Sequence, residues 1–96
     1  MIQRIANDFG KLDIIVVNSG VTSNVPAEEY TPDQWSHIMR INLDGAFYTA
    51  QAAAKIFKKQ GYGNVIFTAS VSATLVNVPQ KQAAVSFVLL SCLAIV

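Results

Sequence analysis

The 96 residues carry seven Lys plus Arg against six Asp plus Glu, with 52% apolar and 14% charged residues. So low a charge content, against roughly 25% in an average soluble chain, excludes a disordered polymer and predicts one domain with a strong drive to bury surface. A net charge of +1 excludes the basic face of a nucleic-acid binder, and a single cysteine, Cys92, and a single histidine, His37, exclude a disulfide scaffold or a histidine-built metal site.

In chain order, Ile2, Ile5, Ala6 and Phe9 fall at helical spacing and Gly10 follows where a helix terminus favours glycine, which predicts a short amphipathic helix over 2–9. This amino-terminal stretch is mixed in polarity and lacks the apolar centre of a secretory signal, so a cytoplasmic location is the expectation. Leu12 to Val17 is a β-branched apolar run closed by Asn18-Ser19-Gly20, the pattern of a parallel-sheet strand buried on both faces. Residues 20–30 show no periodicity and read as a loop leaving that strand.

Thr31-Pro32-Asp33-Gln34 is a helix start, with Thr31 as N-cap, Pro32 in the first turn and Gln34 closing a capping box. From there one long helix is expected to run to about Gln60, stopped by Gly61 and Gly63. Its apolar stripe is Trp35, Ile38, Met39, Ala46, Ala50, Ala53 and Phe57, and Asn42 falls on it. Asn42 is thus expected to be a buried amide in need of partners, serving either to tie the helix to a neighbouring backbone or to act in a site. His37 lies roughly opposite Trp35 and is expected in solvent. Asn64 to Ser70 reads as a second buried strand, so that strand, helix and strand make a right-handed βαβ unit of an α/β fold.

Two polar spots then end adjacent strands: Asn18-Ser19-Gly20 the first, Ser70 the second. Ligands bind at the carboxyl ends of open parallel sheets, although turn chemistry alone accounts for either spot taken singly. The last twelve residues, Val85 to Val96, hold ten apolar residues, two serines and no charge. They fall short of the ~20 residues of a bilayer-spanning helix, so a buried strand or helix segment is the expectation, with a membrane anchor as the weaker alternative.

These segments resemble the short-chain dehydrogenase/reductase family. Leu12 to Gly20 is similar to the family's strand and Asn-Asn-Ala-Gly segment, with Val17 and Ser19 at the first and third motif positions. Ile41-Asn42-Leu43-Asp44-Gly45-Ala46-Phe47 is similar to its Asn-Leu-x-Gly-x-Phe helix segment, and Val65 to Ser70 to the strand ending in its active-site serine. Thr68 to Ser72, Asn77 to Gln80 and Gln82 to Ala84 further resemble the fungal sorbose reductase and NADP-dependent mannitol dehydrogenase branch.

The resemblance implies a partial Rossmann-like domain over 1–84 with a non-family apolar tail over 85–96. It implies NADP or NAD as cofactor, a small carbonyl or polyol substrate, and oligomerisation through residues 32–60. Ser70 would bond the substrate oxygen, with Ser72 a lesser rival. Asn42 would support a proton relay through water, and Asn18, Ser19 and Gly20 would border the cofactor's adenosine side. The family's Tyr-x-x-x-Lys pair is absent from these 96 residues: Val85 stands where the tyrosine is due, and Tyr30, Tyr48 and Tyr62 are followed four residues on by Gln34, Ala52 and Ile66. The glycine-rich cofactor turn belongs to a unit that the resemblance places before Met1. The chain is therefore expected to be a central fragment without activity of its own, and Val85-Ser86, which a splice-donor sequence encodes, suggests a tail translated from non-coding sequence. The alternative is a non-catalytic fragment that associates with a full-length relative through its long helix.

Overall fold

A computed structural model describes residues 1–70, without the side chain of Ala27; Ser72, the 77–84 segment and the 85–96 tail lie outside the described residues. Helix α1 spans Ile2–Phe9, strand β1 Ile14–Val17, helix α2 Pro32–Met39, helix α3 Gly45–Gln60 and strand β2 Asn64–Phe67. A short 3₁₀ turn, Ala27–Glu29, interrupts the loop after β1, and a π-helical turn, Arg40–Asp44, joins α2 to α3. The two strands pair in parallel, Ile14 opposite Asn64 through Val17 opposite Phe67.

Local chemistry accounts for most of these boundaries. Gly10 ends α1 in the left-handed conformation at φ 78°, and Gly61 ends α3 likewise at φ 86° while its N–H donates to the Phe57 carbonyl. At the start of α2 the Thr31 hydroxyl accepts from the Gln34 N–H at 3.2 Å, and the Gln34 side-chain oxygen accepts from the Thr31 N–H at 3.0 Å. The expected capping box is thus complete, satisfying two otherwise orphaned amides.

The expected long helix over 32–60 is present with unbroken helical backbone, and the structure adds a π turn at Arg40–Asp44 between its two α-helical stretches. The Gly45 N–H reaches back five residues to the Arg40 carbonyl. Glycine is not what opens this turn, because a Cβ at Gly45 would sit at an ordinary 3.5 Å from that carbonyl.

The stripe is corrected at both ends. Trp35 is 38% exposed, because α2 has no substantial packing against the strands or α1. At the other end Ile56 is buried beside α1 in the place expected for Phe57, whose ring lies over Gly63 instead. Between them Ile38, Ala46, Ala50 and Ala53 are buried as the spacing requires, and His37 is exposed.

Only one face of the sheet is covered. Val17 and Ala46 form a core with Leu43, Val65 and Phe67 packed against it, which places α3 over the Ile15 and Val17 face. On the opposite face Ile14, Val16 and Ile66 are 53%, 56% and 49% exposed. The expectation of a strand buried on both faces is corrected accordingly: its apolar residues alternate across the pleat, and none of the described elements packs on the second side.

At the amino end of β1 the Lys11 ammonium lies 3.0 Å from the Asp13 carboxylate. Through that hydrogen bond it holds the carboxyl below its ordinary value, while Asp13 raises Lys11. Beside this pair, Gln60 at the end of α3 accepts from the Leu12 N–H at 3.4 Å and donates to the Leu12 carbonyl and, at 2.9 Å, to the Tyr62 carbonyl. The end of the crossover helix is thereby tied to the entrance of β1.

Gly63, at φ 155°, tests the turn into β2, since a Cβ built there would fall inside the Phe57 ring. Gly63→Ala is expected to destabilise the fold by about 2 to 3 kcal/mol, combining backbone strain with overpacking. Urea denaturation would show it as a lowered midpoint, partly recovered by adding Phe57→Ala.

Candidate functional site

Parallel pairing sets the carboxyl ends of β1 and β2 side by side, and the Thr68 N–H continues the ladder to the Val17 carbonyl at 3.0 Å. Asn18-Ser19-Gly20 and Ser70 therefore share one sheet edge, because each segment follows directly from the strand that carries it. Asn18, Ser19 and Gly20 are exposed there, and Ser70 is half-buried.

Asn42 approaches the same end from the π turn. Its side chain is 1% exposed, the sole buried polar one among the described residues. Its Oδ1 accepts from the Val21 N–H at 2.8 Å, and its Nδ2 donates to the Val21 carbonyl at 2.8 Å. The backbone tie that the stripe position allowed is thus present, and it pins the loop immediately after Gly20. Among the described residues this amide is what orients the exit of β1 toward the helix, so Asn18 to Gly20 are held between a strand and a clamp.

Along β1 and α1 runs a cleft of about 680 Å³. Ile5, Leu12 and Ile15 contribute to its apolar wall; Asn18, Ser19, Arg40 and Thr49 bring polar groups to it. Gly20, Asn42 and Ser70 do not line this cleft. Neither the Asn18 nor the Ser19 side chain is hydrogen-bonded among the described residues, so their donors and acceptors face the cleft unspent. Thr49 is partly committed, its hydroxyl donating to the Gly45 carbonyl at 2.7 Å.

The arrangement combines an apolar wall with a small set of polar groups toward the carboxyl end of a parallel strand, the kind of lining that small-molecule pockets have. Among the described residues no group of three His, Cys, Asp or Glu side chains could hold a metal ion, and no helix is long and apolar enough to cross a membrane. Arg40, Thr49 and Gln60 went unnoticed in the sequence, where each reads as an ordinary helix residue.

Asn42→Leu is expected to lower stability by about 1 to 3 kcal/mol, since it leaves both polar groups of Val21 without their partner. Amide hydrogen exchange should show the clearest change at Val21, with faster exchange there than in the core of α3.

The model of the short chain dehydrogenase family matches residues 1–84. A protein named probable NADP-dependent mannitol dehydrogenase from Yarrowia lipolytica is 46% identical over 84 residues, covering 85% of this chain and 30% of its own length. A sorbose reductase of Schizosaccharomyces pombe is 47% identical over 75 residues, 77% of this chain and 29% of that protein. Among solved structures, a short-chain type dehydrogenase/reductase from Mycobacterium marinum superposes with a TM-score of 0.89 at 32% identity, over 95% of this chain and 38% of its own. A gluconate 5-dehydrogenase from Burkholderia cenocepacia, in complex with NADP and tartrate, gives 0.88 at 33% identity over 96% of this chain and 36% of its own. This chain thus spans about a third of the length of the proteins it matches. With the βαβ unit, the polar ends of both strands and a family match over 84 of 96 residues in hand, the chain belongs to the short-chain dehydrogenase/reductase family.

Proposed function

We propose that residues 1–84 are the central part of an NAD(P)-dependent oxidoreductase acting on the carbonyl or alcohol groups of sugars or polyols, followed by an apolar tail over 85–96. The carrying observation is the meeting of Asn18 to Gly20 and Ser70 at one sheet edge, in a chain whose relatives include mannitol dehydrogenases and a sorbose reductase. The residues present fit the adenosine side of such a cofactor: Asn18 and Ser19 offer uncommitted polar groups beside an apolar wall. When bound, a nicotinamide nucleotide would supply or accept the hydride.

In this reading Asn18, Ser19 and Gly20 border the adenosine. Ser70 donates a hydrogen bond to the substrate oxygen, which sharpens as charge gathers there during hydride transfer. Asn42 supports the proton relay by position, holding the backbone that leads out of the cofactor-bordering segment. The 96 residues contain no Tyr-x-x-x-Lys pair, so no group in them protonates the substrate oxygen, and the chain alone is proposed to be inactive.

The test replaces the matched segment of the Yarrowia relative with residues 1–84 of this chain and measures NADPH oxidation with a panel of ketoses. The chimera is expected to reduce at least one of them, and its Ser70→Ala variant to lose about 100-fold or more in kcat. A folded chimera that reduces no ketose overturns the reading, and so does a Ser70→Ala variant that keeps full activity. Turnover by the isolated 96-residue chain overturns the inactivity proposal.

A second reading, a non-catalytic fragment that associates with a full-length relative through residues 32–60, is favoured by the exposed aromatic side chains of that segment. Trp35, Phe47 and Tyr48 are 38%, 39% and 63% exposed, and the Phe47 and Tyr48 rings meet edge to face at 5.7 Å. Co-purification with a full-length relative, abolished by Tyr48→Lys, is the expected result on this reading. A monodisperse chain that leaves the relative's size distribution unchanged counts it out.

A further inference from the structure

We propose that residues 85–96 of this chain cover the open apolar face of its own sheet. The inference does not depend on the cofactor reading: it concerns what completes the packing of a chain that carries this tail.

The open face is one continuous patch. Val16 and Ile66 lie directly opposite each other in the register, and Ile14 is the next residue of β1 on the same side. Each of the three is about half exposed. The remaining strand residue on this side is Asn64, so the strands bring no charge to this face. Parallel strands are stable when both faces are packed, and here α3 covers the other one.

What covers such a face must be apolar and uncharged. Val85 to Val96 holds ten apolar residues, two serines and no charge, while every charged residue of the chain falls within 1–84. Tail and sheet face each expose apolar area to water at a cost in free energy, and one contact removes both costs. The apolar side chains exposed on the helices suit the tail less well. Ile5 and Phe9 share α1 with Arg4 and Asp8, Trp35 shares α2 with Asp33, and Phe47 and Tyr48 share α3 with Lys55. A tail without charge laid there would strip water from ions and offer them no partner.

The chain also has the reach. Val85 stands 15 positions beyond Ser70, a connector of up to ~50 Å when extended. Among the described residues the sheet is two strands wide, with strands of this kind ~4.8 Å apart. The chain leaves the sheet from β2, and none of the described elements adds a strand beyond it, so the path round that edge to the open face is short beside the connector.

Cys92, the one thiol of the chain, lies inside the tail and takes a nitroxide spin label. The full 96-residue chain, with isotope-labelled Ile, Val and Ala methyl groups, is compared by NMR with the label oxidised and reduced. The Ile14, Val16 and Ile66 methyl signals are expected to lose most of their intensity under the oxidised label, and those of Ile38 and Ala53, buried on the helices, to keep most of theirs. Val16→Lys should restore the Ile14 and Ile66 signals, with circular dichroism to check that the helices remain. Leu90→Lys makes the same test from the tail, without touching the sheet.

In a mixed sample, a spin-labelled chain without isotopes is added to an isotope-labelled Cys92→Ser chain, and no selective loss is expected. Selective loss in the mixed sample makes a second copy the occupant and overturns the proposal. Absence of selective loss in the doubly labelled chain overturns it too, and sedimentation of that chain with phosphatidylcholine vesicles would then assign the tail to a lipid surface.

Discussion

Two side-chain amides hold the two ends of β1, and the geometry of everything around the sheet edge depends on them. Gln60 bonds both backbone groups of Leu12 at the strand's entrance, and Asn42 bonds both backbone groups of Val21 just past its exit. Each amide supplies one donor and one acceptor, the same complement that a neighbouring peptide would offer, so each acts as a one-residue substitute for a strand partner. The crossover from α2 to α3 carries both amides, one in its π turn and one in its last turn. Strand and helix are therefore fixed by hydrogen bonds at two points and by the packing of Val17 on Ala46 between them.

This arrangement explains why a buried amide is tolerated on an otherwise apolar stripe. An asparagine at 1% exposure would be costly if unpaired, yet here its polar atoms have good partners and its position determines where the chain goes after Gly20. The polar residues at the sheet edge need no conformational strain of their own, as no residue other than glycine takes a positive φ among the described residues. They are presented by a strand that is held at both ends, which is how a rigid scaffold orients a binding loop.

Much of this was legible in the residues. The capping box at Thr31 and Gln34, the glycine stops at 10 and 61, the β-branched run at 14–17 and the apolar Val65-Ile66-Phe67 are local signals, and local chemistry decides them. The π turn left no such signal, because shifting a helix's hydrogen bonds by one residue requires no particular composition and Gly45 is not sterically needed there. Trp35 was misplaced because helical periodicity says which residues share a face but not whether another element covers it. The same reasoning applies to Ile14 and Val16, whose apolar character fits a covered sheet that the described elements supply on one side only. Gln60 was invisible for a different reason: a glutamine in a last helical turn is commonplace, and its partner, Leu12, lies 48 residues away in the chain. As for the site, motif spacing points to Asn42 and Ser70.

The register of the sheet also has a kinetic side. Ile14 pairs with Asn64, 50 positions further along the chain, and the Gln60 to Leu12 bonds span almost as far. Neither can form until the chain between them has contracted, and closing so long a loop in a flexible coil delays the rewarding contacts. Helix α3 shortens the task, since its residues advance about 1.5 Å each instead of the roughly 3.3 Å of an extended chain. Helix formation should thus precede strand pairing, with the strand segments waiting exposed in the meantime. During that interval the apolar residues of 14–17 and 65–67 are open to pairing between molecules, so productive folding competes with aggregation, the more so as chain concentration rises.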